Sequence, residues 1–138
     1  MRLAERECRE RFASARRAFL ATADLGAVPH IVPVTFALSD DIVVLAVDHK
    51  PKMTSDLKRL RNIRANPRVA LLVDSYDEDW ARLWWVRADG TAEILDDPPA
   101  VDLLRQRYAA YADNPPQGPV IRVRVTRWSG WTSATLQA

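Results

Sequence analysis

The chain has 138 residues, is 48% hydrophobic and carries a net charge of +2, which predicts one globular domain spanning residues 1–138. The small charge and the acidic stretch at residues 74–79 argue against a nucleic-acid partner, and a single cysteine and two histidines argue against a disulfide or a metal site. No apolar run approaches a membrane span and the N-terminal segment lacks the apolar core of a signal peptide, so a soluble, cytoplasmic protein without a membrane partner is expected.

In chain order, the predicted elements alternate between short helices and strands. Apolar residues at helical spacing from Ala4 to Ala15 predict an N-terminal helix with Cys8 in the core. The segment 83–95 is either one bent strand with a bulge at Gly90 or two strands joined at Asp89–Gly90. The other strands are predicted at residues 18–23, 30–38, 42–47, 68–73 and 120–128, and two further helices at residues 51–65 and 98–111. About six strands with short connections indicate a mainly β, antiparallel, barrel-like fold.

The basic segment 48–68 is the most informative part of the chain. Helical spacing gives its helix a buried stripe of Met53, Leu57, Leu60 and Ile63. An adjoining face carries Lys52, Ser55, Arg59 and Asn62. Lys52 and Ser55 fall in the first turn, where free amides and the helix dipole favour an anion. Two interpretations remain open for this face, a phosphate site and a solvated basic surface.

Four segments follow one another along the chain: ATAD (21–24), PHIVPVTFAL (29–38), DDIVVLAVDHKPK (40–52) and LRNIRANPRVALLVD (60–74). In this order the chain resembles the FMN/F420-binding split-barrel superfamily, the pyridoxamine-phosphate-oxidase-like proteins, over residues 17–131. Within it, the chain most resembles the actinobacterial F420-dependent subgroup. The resemblance implies a six-stranded antiparallel Greek-key split barrel with short flanking helices, and a homodimer with two cofactor pockets at its interface.

The resemblance also implies the residues of that pocket. Along the isoalloxazine-like ring would lie Pro33, Val34, Thr35 and Phe36. The ribityl and phosphate groups would be bracketed by Val47, Asp48, Lys50 and Lys52. The phosphate and the acidic tail of F420 would be held by Arg59, Arg61 and Asn62. The partner subunit would close the pocket with its own Trp80, Arg82, Trp85 and Trp131.

The cofactor prediction favours F420 over FMN. The Ser-Arg-Lys phosphate signature of the FMN-binding oxidases is replaced by Lys50-Pro51-Lys52, which lacks the bidentate arginine. The resemblance therefore implies an F420-dependent oxidoreductase that transfers a hydride between the reduced deazaflavin and a small organic substrate. No side chain is assigned a catalytic role, because the cofactor itself carries the hydride chemistry. Alternatives left open are an FMN-dependent oxidase or reductase, and a non-catalytic module binding F420 or a tetrapyrrole. His30 is expected to be a satisfied core or edge histidine.

Overall fold

The computed structural model describes residues 1–47 and 57–134. The helices of this part are α1 (Glu5–Ser14), α2 (Lys58–Ala65), α3 (Pro98–Arg107) and α4 (Ala109–Asp113), with one 3-10 turn at Trp80–Arg82. The strands are β1 (Ala18–Ala23), β2 (Pro29–Val34), β3 (Phe36–Ser39), β4 (Ile42–Ala46), β5 (Arg68–Ser75), β6 (Trp84–Leu95) and β7 (Val120–Thr132). No helix within these two ranges has the length and apolar character needed to span a membrane.

The seven described strands form one sheet in the order β2-β1-β5-β6-β7-β4-β3, and every pairing is antiparallel. The two edge strands, β2 and β3, are separated in the chain by Thr35 alone. The chain itself therefore joins the two edges of the curled sheet, which gives a split barrel. The predicted strand 30–38 is wrong as a single element, and the expected six strands become seven because the backbone breaks at residue 35.

The barrel interior holds the main core, because every second residue along β1 and from Val69 to Val73 of β5 is buried while the residues between them are half-buried. Helix α1 closes one end of the barrel with Cys8 and Phe12, and the ring centroid of Phe12 lies 4.8 Å from that of Phe36. Cys8 is fully buried, which confirms its predicted core position, and this burial raises the pKa of its thiol. A second core forms outside the barrel, where Ala100 and Leu104 of α3 pack over β3 and β4.

A β-bulge decides between the two interpretations of segment 83–95. Strand β6 runs without interruption from Trp84 to Leu95, and its register against β7 shifts between Asp89 and Gly90. A Cβ atom on Gly90 would lie 2.3 Å from the carbonyl oxygen of Arg124. The single bent strand is therefore confirmed, and Gly90 allows the close approach of the two backbones at the bulge.

The helices deviate from prediction at their ends. Helix α2 begins at Lys58, while residues 51–56 of the predicted helix, with Met53 of its stripe, lie outside the described residues. The predicted helix 98–111 is interrupted at Tyr108, whose backbone is extended between α3 and α4. The interruption turns the Tyr108 side chain towards the break between β2 and β3, where its hydroxyl is hydrogen-bonded. The last strand is longer than predicted and ends at Thr132.

Candidate functional site

A polar cluster lies where α2 crosses the inner face of β1 and β2. Thr22 of β1 is paired directly with His30 of β2, so their side chains project from the same face of the sheet. The side-chain amide of Asn62 donates a hydrogen bond of 3.0 Å to the hydroxyl of Thr22, and both residues are buried. The prediction that Asn62 lies beside Arg59 on an accessible face is therefore corrected, because Thr22 gives its amide a partner in the core.

Two polar atoms near this cluster are buried without a hydrogen-bond partner among the described residues. One is Nδ1 of His30, and the other is Nε of Arg59. Arg59 lies one helical turn before Asn62, on the same side of α2 and in its first turn. A buried donor without an acceptor costs about 1–3 kcal/mol, and more when it carries charge, so an acceptor that reaches Arg59 would gain that energy. The expectation that His30 is satisfied is not met at Nδ1.

The turn after β1 is linked to the first residue of α2 by an ion pair. Asp24 accepts hydrogen bonds from the backbone amides of Gly26 (2.9 Å) and Val28 (3.0 Å), and its carboxylate lies 3.6 Å from the ammonium group of Lys58. The bond from Val28 is the main cause that lowers the pKa of Asp24, with Gly26 and Lys58 acting in the same direction. Lys58 is thus directed to the β1–β2 turn.

The break at Thr35 is held by two tyrosines from the second half of the chain. The hydroxyl of Tyr111 lies 2.7 Å from the hydroxyl of Thr35. The backbone amide of Phe36 donates to the hydroxyl of Tyr108 at 3.1 Å, and that hydroxyl lies 3.0 Å from the carbonyl oxygens of both Phe36 and Arg16. These bonds replace strand pairing at the break and fix the direction of the Thr35 side chain.

The outward side of β2, β1, β5, β6 and β7 carries several large apolar side chains beside the ion pair of Arg87 with Asp89, and we call it the outer sheet face. Cross-strand pairs place Pro33 beside Phe19 and Phe19 beside Leu72. The pair Trp85–Trp131 lies one row further along the same side of the sheet. Ile31 is 65% exposed and Trp131 is 39% exposed. Large apolar side chains thus stay in contact with water on this face, which is typical of an interaction surface.

The family model described as pyridoxamine 5'-phosphate oxidase matches residues 4–132, which include α1 and every described strand of the barrel. The chain belongs to this family. No curated protein matches the sequence. Among solved structures, a FAD-binding protein from Mesorhizobium loti is 25% identical with a TM-score of 0.71, and the match covers 94% of this chain and 95% of that one.

Two more distant structures share the fold of this pyridoxamine 5'-phosphate oxidase family member. A conserved hypothetical protein from Mycobacterium tuberculosis is 21% identical with a TM-score of 0.76, covering 99% of this chain and 92% of that chain. The heme storage protein from Vibrio cholerae is 15% identical with a TM-score of 0.72, covering 93% of each chain. Their likeness shows that the same fold occurs at low sequence identity.

In this family member, the predicted pocket residues fall into three groups. Val34, Phe36, Val47 and Asn62 are buried, so their side chains offer almost no surface to a ligand. Exposed or half-buried positions are occupied by Pro33, Thr35, Arg59, Arg61, Trp80, Arg82, Trp85 and Trp131. Asp48, Lys50 and Lys52 lie outside the described residues. Within the described ranges, no three His, Cys, Asp or Glu side chains come together as a metal site would require.

Sequence reasoning missed three residues of this region. The alternation of residues assigned His30 to the core face, but no sequence pattern indicates that its Nδ1 lacks a hydrogen-bond partner among the described residues. Tyr108 and Tyr111 were interpreted as the end of an amphipathic helix. In an unbroken helix their spacing of three residues would place both side chains on one side, and that spacing is the one sequence signal that points to a joint role.

Proposed function

We propose that this family member is an F420-dependent oxidoreductase that transfers a hydride between the reduced deazaflavin and a small organic substrate. The observation that carries the proposal is the buried Nε of Arg59 in the first turn of α2, which has no hydrogen-bond partner among the described residues. This donor is set directly after a sequence segment that contributes Lys50 and Lys52. A cationic group without an acceptor at the positive end of a helix dipole fits a bound anion.

The charge of the cofactor agrees with the charge of this region. F420 carries a phosphodiester and a chain of glutamates, so it presents several anionic groups. The described part of α2 carries four basic side chains and no acidic one: Lys58, Arg59, Arg61 and Arg64. FMN presents one phosphate, and the arginine that grips it in the oxidases is replaced here by Pro51. These charges support F420 rather than FMN.

The chain's own residues would bind and orient the cofactor. Pro33 and Thr35, which are exposed and half-buried, would face the ring, and Thr35 would offer it a hydroxyl whose direction is set by Tyr111 at 2.7 Å. Arg59 would hold an anionic group of the cofactor. Bound in its reduced form, F420 supplies the hydride and thus the redox chemistry. The reduced substrate must also take up one proton, for which solvent is the source in this proposal, and no side chain is assigned to that transfer.

The partner we propose for the outer sheet face is a second copy of this chain. The face carries both Pro33, expected along the ring, and the pair Trp85–Trp131, expected to come from the partner. A twofold contact brings the same patch of both copies together. It would therefore set the tryptophans of one protomer against the ring-binding segment of the other. Its apolar character supports burial against another apolar surface.

The test is a titration of the purified chain with F420 and with FMN, followed by fluorescence. We expect tighter binding of F420. Arg59→Gln should weaken F420 binding by about tenfold or more, the equivalent of one charged hydrogen bond at about 1.5–3 kcal/mol. The matched control is Arg64→Gln, an exposed position in the last turn of the same helix, which should change binding little.

Three outcomes would contradict the proposal. FMN binding as tight as F420 binding would favour the FMN-dependent alternative of the same fold. Equal effects of the two arginine substitutions, removed by added salt, would indicate a diffuse basic surface. Tight F420 binding without hydride transfer to any of a panel of conjugated acceptors would instead favour the non-catalytic module.

A further inference from the structure

A cavity lies on the outside of the barrel, where β6, β7 and β4 run side by side beyond the bulge. Arg124 of β7 is paired with Thr91 of β6 on one side and with Ile42 of β4 on the other, so these side chains form one row on one face of the sheet. The next row on that face holds Glu93 and Arg122. These side chains line a cavity of about 360 Å³. This volume lies within the range of about 300–1,000 Å³ that is usual for small-molecule sites.

The cavity is remote from the apolar side chains of the outer sheet face. On β4, the row of Glu93 and Arg122 continues to Val44, which belongs to the second core beneath α3, so this row points outwards and α3 borders the cavity. The Trp85–Trp131 row lies roughly 20 Å further back along β6 and β7, at about 3.4 Å per residue. A second copy that covers those tryptophans therefore leaves the cavity open.

One side of the cavity carries an excess of negative charge. The Nε of Arg122 donates a hydrogen bond of 2.9 Å to Oε1 of Glu93, and its Nη1 lies 3.8 Å from Oδ2 of Asp97 at the start of α3. Two carboxylates thus share one guanidinium group. The second oxygen of Glu93, Oε2, makes no hydrogen bond or ion pair with any described residue. That oxygen is open to a donor on a ligand.

The other side of the cavity carries positive charge. The guanidinium of Arg124 makes no hydrogen bond or ion pair with any described residue. Glu93 is its diagonal neighbour across the strands, but that carboxylate is bonded to its direct neighbour Arg122. Beside Arg124, Thr91 presents a hydroxyl without a partner in the described structure, and Ile42 adds an apolar surface. The guanidinium fork and the hydroxyl are therefore open to an anionic group.

We propose that this cavity binds a small zwitterion, an α-amino acid with an apolar side chain. Its carboxylate pairs with the fork of Arg124 and the hydroxyl of Thr91, and its ammonium group donates to Oε2 of Glu93. Its side chain lies against Ile42. Diagonal neighbours on a sheet are about 7–8 Å apart at the backbone, so Glu93 and Arg124 both reach a ligand whose two charges lie on adjacent carbons.

The charge balance of the cavity selects against simpler ligands. Two guanidinium groups and two carboxylates stand in and beside the cavity, and their charges sum to zero. A plain anion or a plain cation therefore meets no net attraction, and it leaves one side of the cavity without a partner. A compact ligand that carries both charges is the class that uses both sides at once.

Isothermal titration calorimetry of the whole chain at pH 7, without cofactor, tests the binding directly. The probe is L-leucine, and two analogues of the same shape each lack one charge. The acid, 4-methylpentanoate, lacks the ammonium group, and the amine, 3-methylbutylamine, lacks the carboxylate. We expect saturable binding of leucine and binding at least about tenfold weaker for either analogue, because each loses one set of charged hydrogen bonds.

Two substitutions remove the two sides of the cavity separately. Arg124→Gln should weaken leucine binding by about tenfold or more and abolish the advantage of leucine over the amine. Glu93→Gln should weaken it by a similar factor and abolish the advantage of leucine over the acid. The matched control is Arg127→Gln, an exposed arginine of β7 on the other side of the bulge, which should leave leucine binding unchanged. All three side chains are exposed, and circular dichroism checks that each variant folds.

The inference is overturned if leucine gives no saturable binding at millimolar concentration, if either analogue binds as tightly as leucine, or if Arg124→Gln and Arg127→Gln behave alike. None of the substituted residues belongs to the expected cofactor pocket, so these results are independent of the cofactor titrations. A chain that binds leucine through Arg124 but binds neither F420 nor FMN would refute the proposed function and leave the zwitterion site intact. The opposite pattern would refute only the site.

Discussion

Replacing Gly90 with alanine tests whether the bulge in β6 depends on the missing side chain. The added Cβ would lie 2.3 Å from the carbonyl oxygen of Arg124 and 3.0 Å from Cγ1 of Val123. Ordinary contacts of this kind begin at 3.4 Å, so the two backbones must separate by about 1 Å at this point. The oxygen belongs to the neighbouring strand β7, and it cannot retreat without disturbing the ladder of hydrogen bonds.

The expected loss of stability follows from two terms. Forcing an extra carbon into a tight contact costs about 1–3 kcal/mol, and a weakened backbone hydrogen bond adds about 1 kcal/mol. We therefore expect a loss of about 3 kcal/mol, which lowers the Tm by about 10 °C for a chain of this size. Urea unfolding and thermal melts followed by circular dichroism measure both quantities.

Gly118→Ala is the matched control for this substitution. No atom lies within 4 Å of its added Cβ, and neither glycine has a positive φ, so a conformational penalty is absent at both positions. Gly118→Ala should leave stability unchanged or raise it by about 0.4–1 kcal/mol. If Gly90→Ala unfolds within about 0.5 kcal/mol of this control, β6 and β7 have room at the bulge and the steric argument is wrong.

Three further predictions concern charge and assembly. A hydrogen bond from Arg9 is the main cause that lowers the pKa of Asp41. The ionised Asp41 therefore stabilises the fold above the pH at which an ordinary aspartate titrates, and this stabilisation is lost as the pH falls through the lowered pKa. In acid unfolding, the difference in stability between the wild type and Asp41→Asn should disappear below about pH 4. In a fluorescence titration, Lys52→Ala should weaken F420 binding by roughly 10- to 150-fold, whereas Lys58→Ala should cause a small, salt-sensitive loss of affinity. Equal losses for the two variants would contradict the assignment of Lys52 to the cofactor phosphate. Sedimentation should give about twice the monomer mass of 15.6 kDa for the wild type. Ile31→Arg places a charge on the outer sheet face and should give a monomer. A monomeric wild type would contradict the proposal of a pocket shared between two subunits.

The sequence was sufficient to predict the strands and their faces, because burial on one side of a strand leaves a period of two. Strand β1 was predicted with the same bounds that the structure shows. A bulge at Gly90 was one of the two interpretations of segment 83–95. The break at Thr35 was not predictable from its neighbourhood, because the alternation continues through residue 35. Its cause is the pair of tyrosines more than 70 residues further along the chain.

The candidate site was harder to predict than the fold. Helical spacing set Asn62 beside Arg59, but it does not say that Thr22 would offer the amide a partner inside the barrel. The family match supports the expected superfamily, whereas the F420 subgroup and the individual pocket residues remain predictions. They depend on contacts with a ligand and a second chain, and a single sequence contains no pattern that fixes such contacts.

The link between Thr35 and the tyrosines also constrains the order of folding. Residue 35 connects the two edges of the sheet, yet the groups that hold it, Tyr108 and Tyr111, come from α3 and α4. The first half of the chain can pair β1 with β2 through a short turn, but the join at Thr35 waits for contacts that span more than 70 residues. Because such long loops close slowly, the segment expected to meet the cofactor is among the last to reach its native geometry.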